Sequence, residues 1–245
     1  MRYVSKFKSS NTEKVDDAIL NTLIRGELNK FSAANYDDIK DFMCQILDSG
    51  KTDFLKHFML LVFQKAATEE FFCPLYAKLL SELSSKYNIL LEEMAILLDE
   101  YINVFKEVDE TAEENYDEFV KRNYEKKYRL GYSQFLTELI QYNIIEPGMF
   151  MKTLELIINQ IDTTVQKDDY ARVMEEYADC LVRIMKALSK CSSDGENQIA
   201  NLRMQIKDTF LEKLRLYTVR NAEWKSLSNK ARFTFLDVCE SIEKF

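Results

Sequence analysis

The sequence predicts an all-α fold, an α-solenoid of five antiparallel helix pairs (ten helices) that forms a single domain over residues 1–245. Three observations predict it. Apolar residues recur at helical spacing along nearly the whole chain, while strand-like alternation is almost absent. Only 5 Gly and 2 Pro occur, too few of the turn residues that an all-β or βαβ chain needs at regular intervals. Hydrophobic residues make up 47% and charged residues 30%, which supplies a continuous core and is far from a disordered composition.

The elements follow in order. After a short N-terminal tail, 1–11, the first pair spans about Thr12 to Phe31 and Ala33 to Leu47, with Ser32 placed to cap the second helix. Ile39, Phe42, Met43 and Ile46 give that helix its buried stripe, and Gly50 is suited to the left-handed residue that ends it. Phe54, Phe58, Leu61, Val62 and Ala66 mark the third helix; its partner starts near Pro74, a residue fitted to a first helical turn, and buries Leu75, Leu79 and Leu83. The third pair opens near Asn88 with Leu91, Met94, Leu98, Tyr101, Ile102 and Phe105. An acidic stretch from Glu107 to Glu118 interrupts it, read as a solvated loop over about 107–115, and a helix resumes by Phe119 and runs through Phe135 and Leu139. Pro147 starts the fourth pair, with Phe150, Leu154, Ile157 and Ile161 in one helix and Val173, Tyr177, Leu181, Met185 and Leu188 in the other. Ser193 and Glu196 have capping-box spacing for the ninth helix. The tenth runs from about Leu227, with Leu227, Ala231, Phe235, Val238 and Ile242 on its buried side.

Pair starts near residues 12, 51, 88, 147 and 195 lie about 39, 37, 59 and 48 residues apart, against ~40 to 47 for HEAT-type helical repeats. The acidic insertion accounts for the one overlong interval. Such pairs cannot bury both faces alone, so they stack into a HEAT-repeat-like solenoid with an extended surface for partners.

Net charge −8 and a pI near 5.0 argue against a protein that grips nucleic acid mainly through a basic surface. The cysteines (Cys44, Cys73, Cys180, Cys191, Cys239) are odd in number, scattered and free of C-x-x-C pairs, which reads as buried thiols in a reducing compartment. No apolar run reaches the ~20 residues of a membrane span, and no hydrophobic signal core follows Met1. A cytoplasmic, monomeric protein without membrane contact is expected.

The chain offers little for catalysis. His57 is the single histidine, it sits between Phe54 and Phe58 on an apolar helix, and no nucleophile motif accompanies it. Asp48-Ser49-Gly50-Lys51-Thr52 is similar to the end of a phosphate-binding loop, but Gln45 stands where its first glycine belongs and no strand precedes it. The paired acids Asp16-Asp17, Asp37-Asp38 and Asp168-Asp169 diverge around a helix and suit solvated helix starts. No catalytic residue, metal site or cofactor is predicted; the chain reads as a binding protein, not an enzyme. Lys121, Arg122, Lys126, Lys127 and Arg129, interleaved with Tyr124 and Tyr128, form the RNA-contact candidate, with a weak RNA interaction as the expectation. The same cluster can equally serve to balance the acidic stretch before it.

Four ordered fragments carry a resemblance to a known family. Leu28-Asn29-Lys30-Phe31-Ser32 with Tyr36 resembles the Leu-Asn-Lys-Leu-Thr segment that opens the middle domain of eukaryotic translation initiation factor 4G. Val62-Phe63-Gln64-Lys65-Ala66, then Phe72 and Leu75-Tyr76-Ala77-Lys78-Leu79, is similar to its Ile-Phe-Glu-Lys-Ala and Tyr-Ala motifs. Arg129-Leu130-Gly131 with Phe135, Glu138 and Leu139 resembles its Leu-Gly, Phe-Ile-Gly-Glu-Leu helix, and Arg232-Phe233 with Asp237-Val238 its last helix. The resemblance implies five HEAT-like repeats and a translation initiation scaffold that binds and stimulates the DEAD-box RNA helicase initiation factor 4A through both ends of the solenoid. By motif match the helicase contacts fall on Leu28, Phe31, Tyr36, Arg232, Phe233 and Asp237. At about 100° per residue Phe233 lies some 160° from Phe235, in line with Asn229, Asp237, Glu240 and Lys244, so an aromatic on a polar face asks for a partner. Leu28, Phe31 and Tyr36 suit core packing and partner contact equally. The family's Thr-Pro is Ser32-Ala33 here, and no Tyr-x-x-x-x-Leu-hydrophobic motif supports docking of the cap-binding protein. Two alternatives keep the fold: a related middle-domain adaptor of nonsense-mediated decay, nuclear cap binding, splicing or poly(A)-binding-protein interaction, and a generic helical protein-binding scaffold.

Overall fold

The computed structural model describes residues 7–50, 54–105, 116–191 and 197–245. They form ten α-helices: α1 (Phe7–Lys30), α2 (Tyr36–Asp48), α3 (Leu55–Thr68), α4 (Cys73–Lys86), α5 (Ile89–Ile102), α6 (Tyr116–Gln141), α7 (Pro147–Thr164), α8 (Ala171–Lys190), α9 (Asn197–Leu216) and α10 (Asn229–Glu243). Among the described residues there is no strand. Single 3-10 turns join α1 to α2, α3 to α4, and follow α5. The solenoid follows from the packing order. The even-numbered helices stack α2 on α4, α4 on α6, α6 on α8 and α8 on α10, while α1, α3 and α5 stack along the other side and α3 also packs on α6. Each pair therefore buries its apolar stripe against its neighbours, and one core cluster runs from Ile24 to Ile242.

Two features of α6 hold the middle of the stack. Gly131 is where α3 crosses: a Cβ there would stand 1.7 Å from the carbonyl oxygen of Ala67, so the close approach needs a residue without a side chain. Two residues earlier Arg129 is buried, and its Nε donates to the Glu176 carboxylate of α8, itself only 7% exposed. The Arg129 Nη1 reaches the carbonyl of Val104 at 3.5 Å, and the Tyr177 hydroxyl donates to the carbonyl of Phe105 at 2.8 Å. The end of the 3-10 turn after α5 is thus tied to α6 and α8, satisfying carbonyls that a helix end leaves open.

Several boundaries differ from expectation. Helix α1 begins inside the expected tail, at Phe7. Ser32 caps a 3-10 turn, Ala33–Asn35, whose Asn35 Oδ1 accepts from the Ser32 backbone N–H at 2.8 Å and hydroxyl at 2.9 Å; α2 proper starts at Tyr36. Leu91 is exposed, and Leu90 and Leu97 join Met94 and Leu98 in the buried stripe of α5. Leu227 precedes the cap of α10 and is only partly buried. Gly50 takes φ +74, as a residue closing α2 should. The tail 1–6, the Lys51-Thr52 part of the phosphate-loop-like stretch, the acidic run over 106–115 and the Ser193–Glu196 box lie outside the described residues.

Candidate functional site

The last helix presents the site. Ser228 caps α10: its hydroxyl oxygen accepts from the Ala231 N–H at 3.1 Å and the hydroxyl donates to Glu175 of α8 at 2.7 Å, while Lys230 pairs with the same carboxylate at 2.9 Å. Burial costs the Glu175 carboxylate, but hydrogen bonds from Lys230 and Ser228 and the lysine's charge outweigh it and hold the group below its ordinary range. The connector ahead of α10 is pinned as well. Ser226 donates its backbone N–H to Val165 at 3.1 Å, and its hydroxyl oxygen accepts from the Tyr170 N–H at 2.9 Å. On this fixed helix Ala231, Phe235, Val238, Cys239 and Ile242 face inward. Phe233 stands outward, 59% exposed, with the Arg232 guanidinium 5.1 Å from its ring centroid. Leu236, one turn on, is also exposed, and Asn229, Asp237 and Glu240 form the polar surround. A rigid helix carrying an aromatic with a cation on its face and polar groups at its rim has the composition of a protein-binding hot spot.

The opposite end is built differently. Leu28, Phe31 and Tyr36 are 1%, 4% and 6% exposed, so the expectation that these side chains meet a partner is corrected: they are core. The Phe31 ring lies 4.9 Å from Tyr76 and 5.7 Å from Tyr36, and the Tyr76 hydroxyl donates to the Leu28 carbonyl at 3.3 Å. Lys78 and Lys40 reach over the Tyr36 ring at 4.6 and 5.6 Å and both pair with Glu82. The Tyr36 hydroxyl is buried with no hydrogen-bond partner among the described residues; desolvation, then the Glu82 charge, raises its pKa. Helix α1 ends with its apolar side against α3, and the motif closes that contact.

The basic stretch of α6 is also divided. Lys121 and Lys127 are exposed, Arg122 and Lys126 are half-buried, and Arg129 is 3% exposed in its pair with Glu176. Arg129 is therefore withdrawn as an RNA contact, because its guanidinium is spent inside the core. Tyr128 is buried as well, stacked on the exposed Tyr124 at 6.1 Å.

A family model, the MIF4G domain, matches residues 22–242. The chain belongs to the MIF4G-domain family. No solved structure matches it. MIF4G domains are helical scaffolds of RNA-related processes that bind partner proteins, often helicases, and a helical stack with one fixed, partly apolar terminal face is such a scaffold.

Two exposed groups of this MIF4G domain were not anticipated. Leu236 extends the Phe233 face and was legible as a second apolar residue three positions along. Phe71, 87% exposed in the 3-10 turn before α4, sits on a turn fastened by Gln134 to the Glu70 carbonyl at 3.3 Å and by Arg183 to the Glu70 carboxylate at 2.9 Å. Nothing in its local spacing distinguishes it from the packed Phe72. Burial raises the thiols of Cys73, Cys180, Cys191 and Cys239, Cys191 and Cys239 to about 11 and Cys180 to about 12. Such groups stay protonated and are weak nucleophiles. Among the described residues no group of three or more metal-ligating side chains converges, and no helix is long and apolar enough to cross a membrane.

Proposed function

We propose that this MIF4G domain is a middle-domain scaffold of translation initiation that holds a DEAD-box RNA helicase of the initiation factor 4A class in the cytoplasm, and that it performs no catalysis. The observation that carries the reading is Phe233: the family motif Arg232-Phe233 with Asp237 coincides with an exposed aromatic, capped by a guanidinium, on a helix whose other face is core. In this reading Phe233, Arg232, Leu236 and Asp237 grip one helicase lobe. At the first repeat the buried motif shapes the surface, and its exposed neighbours Asn29, Lys30, Ala33, Ala34 and Asp37 meet the other lobe. The scaffold supplies a difference in affinity between helicase states; the helicase keeps the ATP chemistry.

Purified helicase of the 4A class is pulled down with the chain, and its RNA-dependent ATPase is measured with and without it. Binding with stimulation is expected, and Phe233→Ala should weaken binding by about 1 to 4 kcal/mol with the melting temperature nearly unchanged. Absence of both binding and stimulation would sink the reading in favour of another middle-domain adaptor.

A further inference from the structure

We infer that the domain carries a second docking site, a cavity of about 470 Å³ that takes a large apolar side chain presented by an acidic peptide segment of a partner protein. It lies away from α10, where α1, α3 and the N-terminal half of α6 meet. Leu60, Leu61, Val104 and Tyr128 make its apolar wall, and all four pack on the core. Arg25, His57, Gln64 and Tyr124 edge it with polar groups. An apolar floor with a few convergent polar groups, at this volume, is the ordinary form of a ligand pocket. The wall is already formed: Gln64 Nε2 donates to the Tyr124 hydroxyl at 3.1 Å, and Tyr124 stacks on Tyr128. An occupant therefore meets a rigid surface and loses little to ordering it.

Charge chooses the occupant. The chain carries net charge −8, yet the described residues in and beside this lining carry more cations than carboxylates. Arg25 lines the cavity, Lys127 lies three residues beyond Tyr124, and Lys56 one turn before Leu60. All three are exposed and, among the described residues, have no ion-pair partner. Among the described residues Lys121 pairs with Glu125 alone, at 3.8 Å, and Glu125 is the one carboxylate of the lining. Carboxylates flanking an apolar anchor would find cations on both rims, from α1 and α3 on one side and α6 on the other. Single-stranded RNA suits the place less well. Bases are held by open aromatic faces, whereas here Tyr128 is buried, one face of Tyr124 is taken up by it, and the remaining apolar wall is aliphatic. A long polyanion would also meet the repulsion of the whole acidic chain more than a short peptide does.

A random short-peptide display library selected on the full chain tests this, with fluorescence polarisation of the enriched peptides. Enrichment of one large apolar residue flanked by acids is expected. Binding should weaken about tenfold or more when exposed cations are reversed (Arg25→Glu with Lys127→Glu), and again with Leu60→Glu, whereas Phe233→Ala leaves it unchanged. Enrichment of no such pattern, or binding indifferent to the charge reversal, overturns the proposal. So does a uridine oligonucleotide that binds and is lost in the same variants while no peptide binds, an outcome that would make the cavity an RNA site.

Discussion

The two ends of this solenoid carry motifs of the same family and treat their aromatics in opposite ways. In the first repeat Phe31 and Tyr36 are enclosed by Tyr76, Lys40 and Lys78. In the last helix Phe233 is 59% exposed, with the Arg232 guanidinium over its ring. The difference is positional. The first motif lies between α1 and α2 with α4 stacked across it, so any large side chain there has neighbours on several sides. Helix α10 ends the even-numbered stack and is covered by α8 and α9 on one side only. A motif match thus transfers a place in the fold, and whether the residue there offers itself to a partner depends on what stacks over it.

The comparison can be broken first through the middle that both ends share. Arg129→Ala leaves Glu176 as an unpaired buried carboxylate and should cost about 3–5 kcal/mol, while Arg129→Met combined with Glu176→Leu should recover most of it; denaturant unfolding of the two variants measures the gap. Phe31→Ala should cost about 3–5 kcal/mol as a cavity in the core, against less than about 0.5 kcal/mol for the surface change Phe233→Ala. Equal losses of stability in the two melts would erase the distinction between the ends. Gly131→Ala should cost about 1–3 kcal/mol or more, since the Ala67 backbone cannot move without parting α3 from α6.

The smallest effect concerns Glu138, part-buried on α6. Desolvation raises its pKa, against a smaller opposing pull from Lys190. A carboxyl raised in the folded state destabilises it at pH above the folded pKa, and this cost disappears once both states are protonated, below the ordinary value of 4.5. Glu138→Gln should therefore raise the melting temperature slightly at neutral pH and leave it unchanged in acid. A variant less stable at neutral pH would show that Glu138 is held by an attractive partner.

Much of the last repeat was legible in advance. Its stripe Ala231, Phe235, Val238 and Ile242 follows from period alone, and Phe233 falls opposite by the same arithmetic. The first repeat was not, because Leu28 and Phe31 close an apolar helix and period cannot say whether a further helix covers them. Arg129 was misread for a related reason. In sequence it is one cation among five, and its partner Glu176 lies 47 residues away.

The amino-acid sequence by itself determined the helices, their pairing and the family, since these depend on local period and motif order. Tertiary structure decided which motif residues are reachable, that Gly131 marks a helix crossing, that Arg129 belongs to the core, and that Arg25, Leu60 and Tyr128 from three different helices line one cavity. Exposure and charge clustering are sums over neighbours brought together from distant segments, and no window along the chain contains those neighbours.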